Sequence, residues 1–253
     1  MRAPAIGWHP VAAYLYVFHL DGPALAWEYL RRHPGYRCDW QRYRRRPHER
    51  HALRWGLRLL EDPGRDARDA QPDWTPDPDR LVLVRPDDDP PHAAPPFRLW
   101  SIPGRKRLLH DGRRLVLSCQ LVDRTLRLAL SPMLADGMAY AYAVRAGSRL
   151  NERLRTTGPE LAVLDATAAG RRTAIASNRP GRASLLHLLT MQALDGTQAG
   201  ASQRELAEVL FGQEAVAERW HGDSELRAHV RRLVRRGQRF MQGGYRQLLC
   251  GGR

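Results

Sequence analysis

Residues 202–246 constrain the fold of this chain more than any other stretch, because two amphipathic helices can be read there from side-chain spacing alone. Ser202 precedes the run Gln203-Arg204-Glu205-Leu206-Ala207-Glu208-Val209-Leu210-Phe211-Gly212. A serine followed three residues later by a glutamate is a capping box, which satisfies two orphan N–H groups at a helix start. Leu206, Val209 and Leu210 then fall on one face. After a spacer, Leu226, Val230, Leu233, Val234 and Phe240 or Met241 form a second apolar stripe at helical spacing. Asp223 or Ser224 is placed to cap that helix, and Gly243-Gly244 to end it. Arg227, Arg231, Arg232, Arg235, Arg236 and Arg239 flank the stripe, with no acid from Leu226 to Arg246. Gln213–Trp220 suggests a short, acidic extra helix between the two.

A capped helix followed by an arginine-faced helix is the pattern a helix-turn-helix presents to DNA. A third helix, around Leu185, Leu186, Leu189 and Leu194 and stopping near Gly196, supplies the packing partner. Ser202, Gln203 and Arg204 lie at a helix N-terminus, where exposed N–H groups favour a phosphate. The six arginines of the last helix can bind phosphates or guanine edges. The expected DNA-binding set is therefore Ser202, Gln203, Arg204, Arg227, Arg231, Arg232, Arg235, Arg236 and Arg239. The competing reading is an amphipathic surface helix whose arginines are only solvated. The pattern alone does not settle which helix reads bases; residues 224–239 are the expected reader.

The whole-chain charge agrees with a polyanionic partner. The chain has 41 basic and 27 acidic residues, a formal net charge of +14 and a pI near 10.8. Such a balance favours DNA, RNA or an anionic surface. Lys106 is the only lysine. A GC-rich genome explains that ratio but not the net charge. Cys38, Cys119 and Cys250 are an odd, widely spaced set that supports neither a disulfide framework nor a zinc site. Val11–Leu20 is too short to span a membrane. The expectation is a cytoplasmic, nucleoid-associated protein with no membrane partner. His110-Asp111 and His221-Gly222-Asp223 are isolated, and the 10 histidines show no metal spacing. P-loop, nucleophile-elbow and dinucleotide motifs are absent from the sequence, so a non-enzyme without cofactor is expected.

The expected fold class is α+β: a small N-terminal helical domain, a central small antiparallel sheet and a C-terminal helix-turn-helix-like domain. In residues 1–62, Pro10 can open a helix over Val11–Phe18, and Asp21 can cap the next, with Pro23 in its first turn. Pro34 ends that helix. Tyr36, Trp40 and Tyr43 recur at helical spacing, as do Leu53, Leu57 and Leu60, and the aromatics read as core rather than a base-stacking platform. Residues 63–97 have linker composition, with one β-like run at Leu81-Val82-Leu83-Val84 and a solvated Asp87-Asp88-Asp89. In residues 98–168, Leu108–His110, the turn Asp111-Gly112, Arg114–Leu117 and Leu126–Leu130 predict the antiparallel sheet. Pro132 closes it and residues 134–168 read as helical. Residues 169–253 make the last domain, entered through Arg171-Arg172 and Asn178-Arg179-Pro180-Gly181-Arg182, a connector or a basic arm.

Two segments resemble known families. Ala26-Trp27-Glu28-Tyr29-Leu30-Arg31-Arg32-His33-Pro34-Gly35-Tyr36-Arg37-Cys38-Asp39-Trp40 is similar to the AWEFLRRNPxYRxD hallmark of the transcriptional-regulator-like N-terminal domain of proteobacterial mobile elements. Trp8, Tyr14 and Leu20-Asp21 fit it, and His33 departs from the commoner Asn. Ala201–Leu249 resembles the C-terminal helix-turn-helix variant domain of activators and antiactivators of integrative and conjugative element transfer. The residues that carry this second likeness are Arg204–Gly212, Trp220, Gly222-Asp223-Ser224, Arg231-Arg232-Leu233 and Gly243-Gly244-Tyr245-Arg246. The resemblance covers about 40 residues at the start and about 70 at the end. Both together resemble the two-domain activator of excision and transfer genes. The resemblance implies promoter DNA and RNA polymerase as partners, with an antiactivator protein and a homodimer as further expectations. An antiactivator-like regulator that binds protein without touching DNA is the alternative. Arg31-Arg32 stand open to two readings: contact with DNA or polymerase, or a solvated helix face.

Overall fold

The computed structural model describes residues 7–45, 50–75, 81–110, 115–120, 125–144, 150–168, 181–221 and 224–249. The turn at Asp111-Gly112, the Arg171-Arg172 pair, residues 178–180, Gly222-Asp223 and Cys250 lie outside these. In chain order, a 3-10 helix (Val11–His19) leads into α1 (Gly22–Leu30), α2 (Pro34–Arg45) and α3 (Arg50–Leu53). Strand β1 (Val82–Pro86), β2 (Arg105–His110), β3 (Leu115–Gln120), β4 (Thr125–Leu130) and β5 (Tyr140–Ala143) follow, then α4 (Leu150–Ala168). The last elements are α5 (Arg182–Ala199), α6 (Gln203–Phe211), α7 (Gln213–Arg219), α8 (Glu225–Arg239), a π-type turn (Phe240–Gly244) and α9 (Tyr245–Leu248). The fold is α+β, with helices at both ends and a sheet between.

These elements fall into two compact units: residues 1–74 together with 178–253, and residues 75–177. The first unit differs from a reading of separate end domains, because the two terminal segments share one core. Trp27, Tyr29 and Leu30 of α1 are buried with Leu188, Met191 and Leu194 of α5, and with Tyr245 and Leu248 of α9. Trp8 is buried with Leu206, Ala207, Val216 and Val230. The polar contacts also cross the sequence. Gln192 Nε2 donates to the carbonyls of Trp8 at 3.0 Å and His9 at 3.2 Å, and the Tyr245 hydroxyl donates to the Trp55 carbonyl at 2.9 Å. Each segment alone is short for a core of its own, and burying the joint apolar surface is the way both are stabilised.

Local chemistry explains the first helices. The Asp21 carboxylate accepts from Ala24 N–H at 2.8 Å and Pro23 sits in the first turn, where its missing N–H costs nothing. Val11–His19 is a 3-10 helix entered from Pro10. The leucine spacing at 53, 57 and 60 does not make one helix. The chain turns after Leu53, Gly56 takes φ 76°, and Leu57 bridges Trp74. A left-handed residue cannot continue a helix, and the turn buries Leu57 and Leu60 while Leu53 stays exposed. The α5 helix likewise runs past Gly196 to Gly200, whose φ is 90°. Gly196 is a packing residue: a Cβ there would overlap Leu206 Cδ2 and the Trp8 ring.

In the second unit the strand order is β2-β3-β4-β1-β5. β2, β3 and β4 form an antiparallel meander, and β5 runs antiparallel to β1. β1 pairs parallel with β4, Val82 opposite Leu128 and Val84 opposite Leu130, so the sheet is mixed rather than purely antiparallel. The Leu81–Val84 run within the Pro/Asp-rich stretch is thus an interior strand, not linker. A parallel pairing has no hairpin turn to announce it. Tyr140–Ala143 is strand where helix was expected, and among the described residues of 134–168 only Leu150–Ala168 is α-helical. One face of the sheet packs Val82, Val84, Leu117, Cys119, Leu126 and Leu128 with Leu164 of α4.

Candidate nucleic-acid interface

The α6, α7 and α8 helices are built from strong local signals. At the start of α6, Glu205 N–H donates to Ser202 Oγ at 3.2 Å, and Ser202 N–H donates to the Glu205 carboxylate at 2.6 Å. Gly212, with φ 90°, separates α6 from α7. Ser224 caps α8 by accepting from Arg227 N–H at 3.1 Å. Val230, Leu233 and Gly237 form the buried edge of α8. A Cβ on Gly237 would lie 3.0 Å from Leu194 Cβ and 3.2 Å from the Thr190 carbonyl, so glycine lets α8 approach α5 closely.

Opposite that edge, Arg231, Arg232, Arg235 and Arg239 are exposed. Their spacing places them along one stripe of the helix. Fifteen residues of α8 extend about 22 Å, and the major groove of B-DNA admits a helix of this width. Arg227 and Arg236 are different. Both are half-buried, and the Nε of each is buried without a hydrogen-bond partner among the described residues. The Arg236 guanidinium lies 4.9 Å from the centroid of Phe240. Beneath it, Tyr29 and His187 share a hydrogen bond of 2.9 Å, and burial, reinforced by the Arg236 charge, pushes His187 down to about 4. These two arginines are partly committed to the core.

The α6 residues are placed at the surface beside carboxylates. Ser202, Gln203 and Arg204 are exposed, but Ser202 is engaged in the capping box and Arg204 Nε lies 3.2 Å from Glu208 Oε1. The Glu205 carboxylate, held below its usual range by the hydrogen bonds from Ser202, puts negative charge where a phosphate would approach this helix start. The sequence reading missed three glutamines. Gln238, Gln242 and Gln247 line a concavity with Arg235, Arg239 and Gly243 at the end of α8. Gln238 and Gln242 each follow an arginine, Arg235 and Arg239, at i, i+3, and that spacing was the available signal; amide side chains can pair bidentately with adenine.

Arg31 and Arg32 are neither solvated nor available to a partner. Both are buried. Arg31 Nε donates to Glu28 Oε2 at 2.8 Å. Arg32 pairs with Glu28 and, through Nε and Nη2, with Asp195 of α5 at 2.7 and 2.9 Å. Tyr14 donates to the same Asp195 at 2.7 Å, and Ala67 N–H to Glu28 at 2.7 Å. Burial opposes the charge on both acids, but the Arg32 and Arg31 guanidiniums, with the hydrogen bonds each carboxylate accepts, together outweigh it and hold each below the ordinary carboxylate range. The Arg31-Arg32 pair of the hallmark belongs to a buried ion network. Trp27 and Tyr36 are core residues too. Among the described residues, no three His, Cys, Asp or Glu side chains gather as a metal site would require, and no helix is long and apolar enough to cross a membrane.

Comparison with known families gives three matches. Residues 131–250 match a model described as "T6SS, Transcription factor, DNA binding domain". Residues 7–59 match a proteobacterial transcriptional regulator-like domain. Residues 79–126 match a domain of unknown function, DUF7011. No curated protein matches the sequence. The two regulator models, one over the N-terminal helices and the other over residues 131–250, support a transcriptional regulator that carries a DNA-binding domain.

Proposed function

We propose that this chain is a sequence-specific transcriptional activator that docks α8 in the major groove of promoter DNA, as the third helix of a helix-turn-helix built with α5 and α6. The observation that carries this reading is the stripe Arg231, Arg232, Arg235 and Arg239, exposed along the side of α8 opposite its buried edge. The stripe has no acid among it, and Gln238 and Gln242 adjoin it. Guanidinium groups pair with phosphates and with guanine O6 and N7, each good base pair contributing about 1–3 kcal/mol of discrimination. Gln203 and Arg204 are flanking contacts, while Ser202 serves the fold. The genes it acts on are those of mobile-element excision and conjugative transfer, on the strength of the resemblance at both ends. RNA polymerase is the partner an activator of this kind recruits.

The test is a titration of the full chain against DNA upstream of its own operon, with random DNA as competitor, at several salt concentrations. Competitor-resistant binding that weakens linearly in log salt is expected. In the double variant Arg231→Glu, Arg235→Glu, binding is expected to fall at least a hundredfold with an unchanged melting curve. Unchanged affinity in a folded double variant overturns the assignment of α8.

A further inference from the structure

Residues 75–177 form a half-open pocket of about 120 Å³ between the sheet, α4 and the Pro95–Ile102 segment. Its floor is Val84 of β1 and Leu128 of β4, with Leu164 of α4 closing one side. Phe97 and Ile102 add apolar wall, and Tyr140 and Tyr142 of β5 add aromatic wall. The wall at Phe97 is fixed by its backbone: Phe97 N–H donates to the Met138 carbonyl at 2.7 Å and Gly137 N–H to the Phe97 carbonyl at 2.7 Å.

We propose that this pocket is a binding site for a single-ring aromatic molecule bearing one acidic oxygen group, a benzoate or a phenol. Size sets the first limit. An apolar cavity of about 150 Å³ takes up benzene, and this one is close to that. Wall chemistry sets the second. Phe97 meets Tyr140 edge-on, with centroids 5.7 Å apart at 75°, and Tyr140 meets Tyr142 likewise at 5.5 Å and 80°. A guest ring continues that edge-to-face array, the arrangement aromatic quadrupoles favour. The polar groups set the third. The Tyr142 hydroxyl donates to the Tyr140 hydroxyl at 3.4 Å, which leaves the Tyr140 O–H to donate to a guest oxygen. Arg98 and Ser101 line the opening and are exposed, so an oxygen at the mouth meets a cation and a hydroxyl while the ring stays in the apolar part.

Calorimetric titration and thermal unfolding of the full chain, with sodium benzoate and phenol as probes and acetate as the anion control, test the site. One saturable site per chain is expected for at least one aromatic probe. Acetate should give none, and Tm should rise with the logarithm of probe concentration. Val84→Phe fills the floor and should weaken the bound probe at least tenfold. Ser101→Trp, at an exposed position that does not load the core, should occlude the mouth with the same effect even if the floor variant does not fold. Where benzoate binds, Arg98→Gln should weaken it at least fivefold while sparing phenol. The proposal is overturned by no saturable binding of either probe up to its solubility, by acetate binding as well as the aromatics, or by affinity unchanged in folded occluding variants. Benzoate affinity indifferent to Arg98→Gln overturns the assignment of the acidic group.

Discussion

At the scale of single residues, two buried side chains have consequences that differ in kind. Leu206 is 1% exposed and sits with Ala207, Val216, Val230 and Trp8. Leu206→Asp places a carboxylate there without a partner, and a buried unpaired charge costs several kcal/mol. The variant should lose its cooperative melting transition; a normal melting curve would mean that this face of α6 is not core. His187 acts through protons instead. Its ordinary value of 6.5 falls to about 4 in the fold, through burial first and the Arg236 charge second. The folded state therefore keeps it neutral while the unfolded chain protonates it near 6.5. Stability supplied by the neutral ring is present above about pH 6.5 and drains away as pH falls toward 4, by about 3 kcal/mol at most. His187→Phe should flatten that part of the stability profile, measured by urea titration from pH 7 to 4.5. The Glu28 and Asp195 carboxylates add a second loss in more acid solution, because both are held below their ordinary range.

At the scale of elements, the contact between α5 and α8 decides how well the arginine stripe is held. Gly237 brings α8 against Leu194 and the Thr190 backbone. Gly237→Ala removes a weak point in helix propensity, worth about 1 kcal/mol in favour of the helix. The new methyl meets a backbone carbonyl that cannot give way, and overpacking costs about 1–3 kcal/mol. The net expectation is a destabilisation of about 1 kcal/mol, read as a lower urea midpoint, with DNA affinity reduced because α8 is displaced. A gain in stability would show that the two helices have slack. Within α8 the division of labour was legible only in part. The apolar spacing gave the buried edge, and the arginines flanking it were evident. That Arg227 and Arg236 lean inward while Arg231, Arg232, Arg235 and Arg239 stay out depends on the neighbours α5, α1 and the Phe240 ring.

At the scale of the whole molecule, the ends of the chain fold together. Tyr14 and Arg32 meet Asp195, Gln192 reaches Trp8, and Tyr245 reaches Trp55. A fragment of residues 178–253 would expose Leu188, Met191, Phe240, Tyr245 and Leu248, which are buried in the shared core, and would leave Asp195 without Arg32. It should show no cooperative melt alone and should regain one when mixed or coexpressed with residues 1–74. Cooperative unfolding of the isolated fragment, at a Tm near that of the full chain, would show that the C-terminal helices do not need the N-terminal ones.

The sequence by itself determined the local structure. The caps at Asp21, Ser202 and Ser224, the helical spacing of α6 and α8, and the alternation in β4 are short-range signals, fixed by backbone geometry within a turn or two. It also determined the charge that selects a polyanion. Only the tertiary structure decided which residues those elements bury. The parallel pairing of β1 with β4, the placement of Arg31 and Arg32 in an ion network with an acid more than 160 residues away, and the sharing of one core by both ends are long-range. Such contacts leave no periodic trace in the sequence, because they are selected by which assembly buries the most apolar surface while pairing every buried charge.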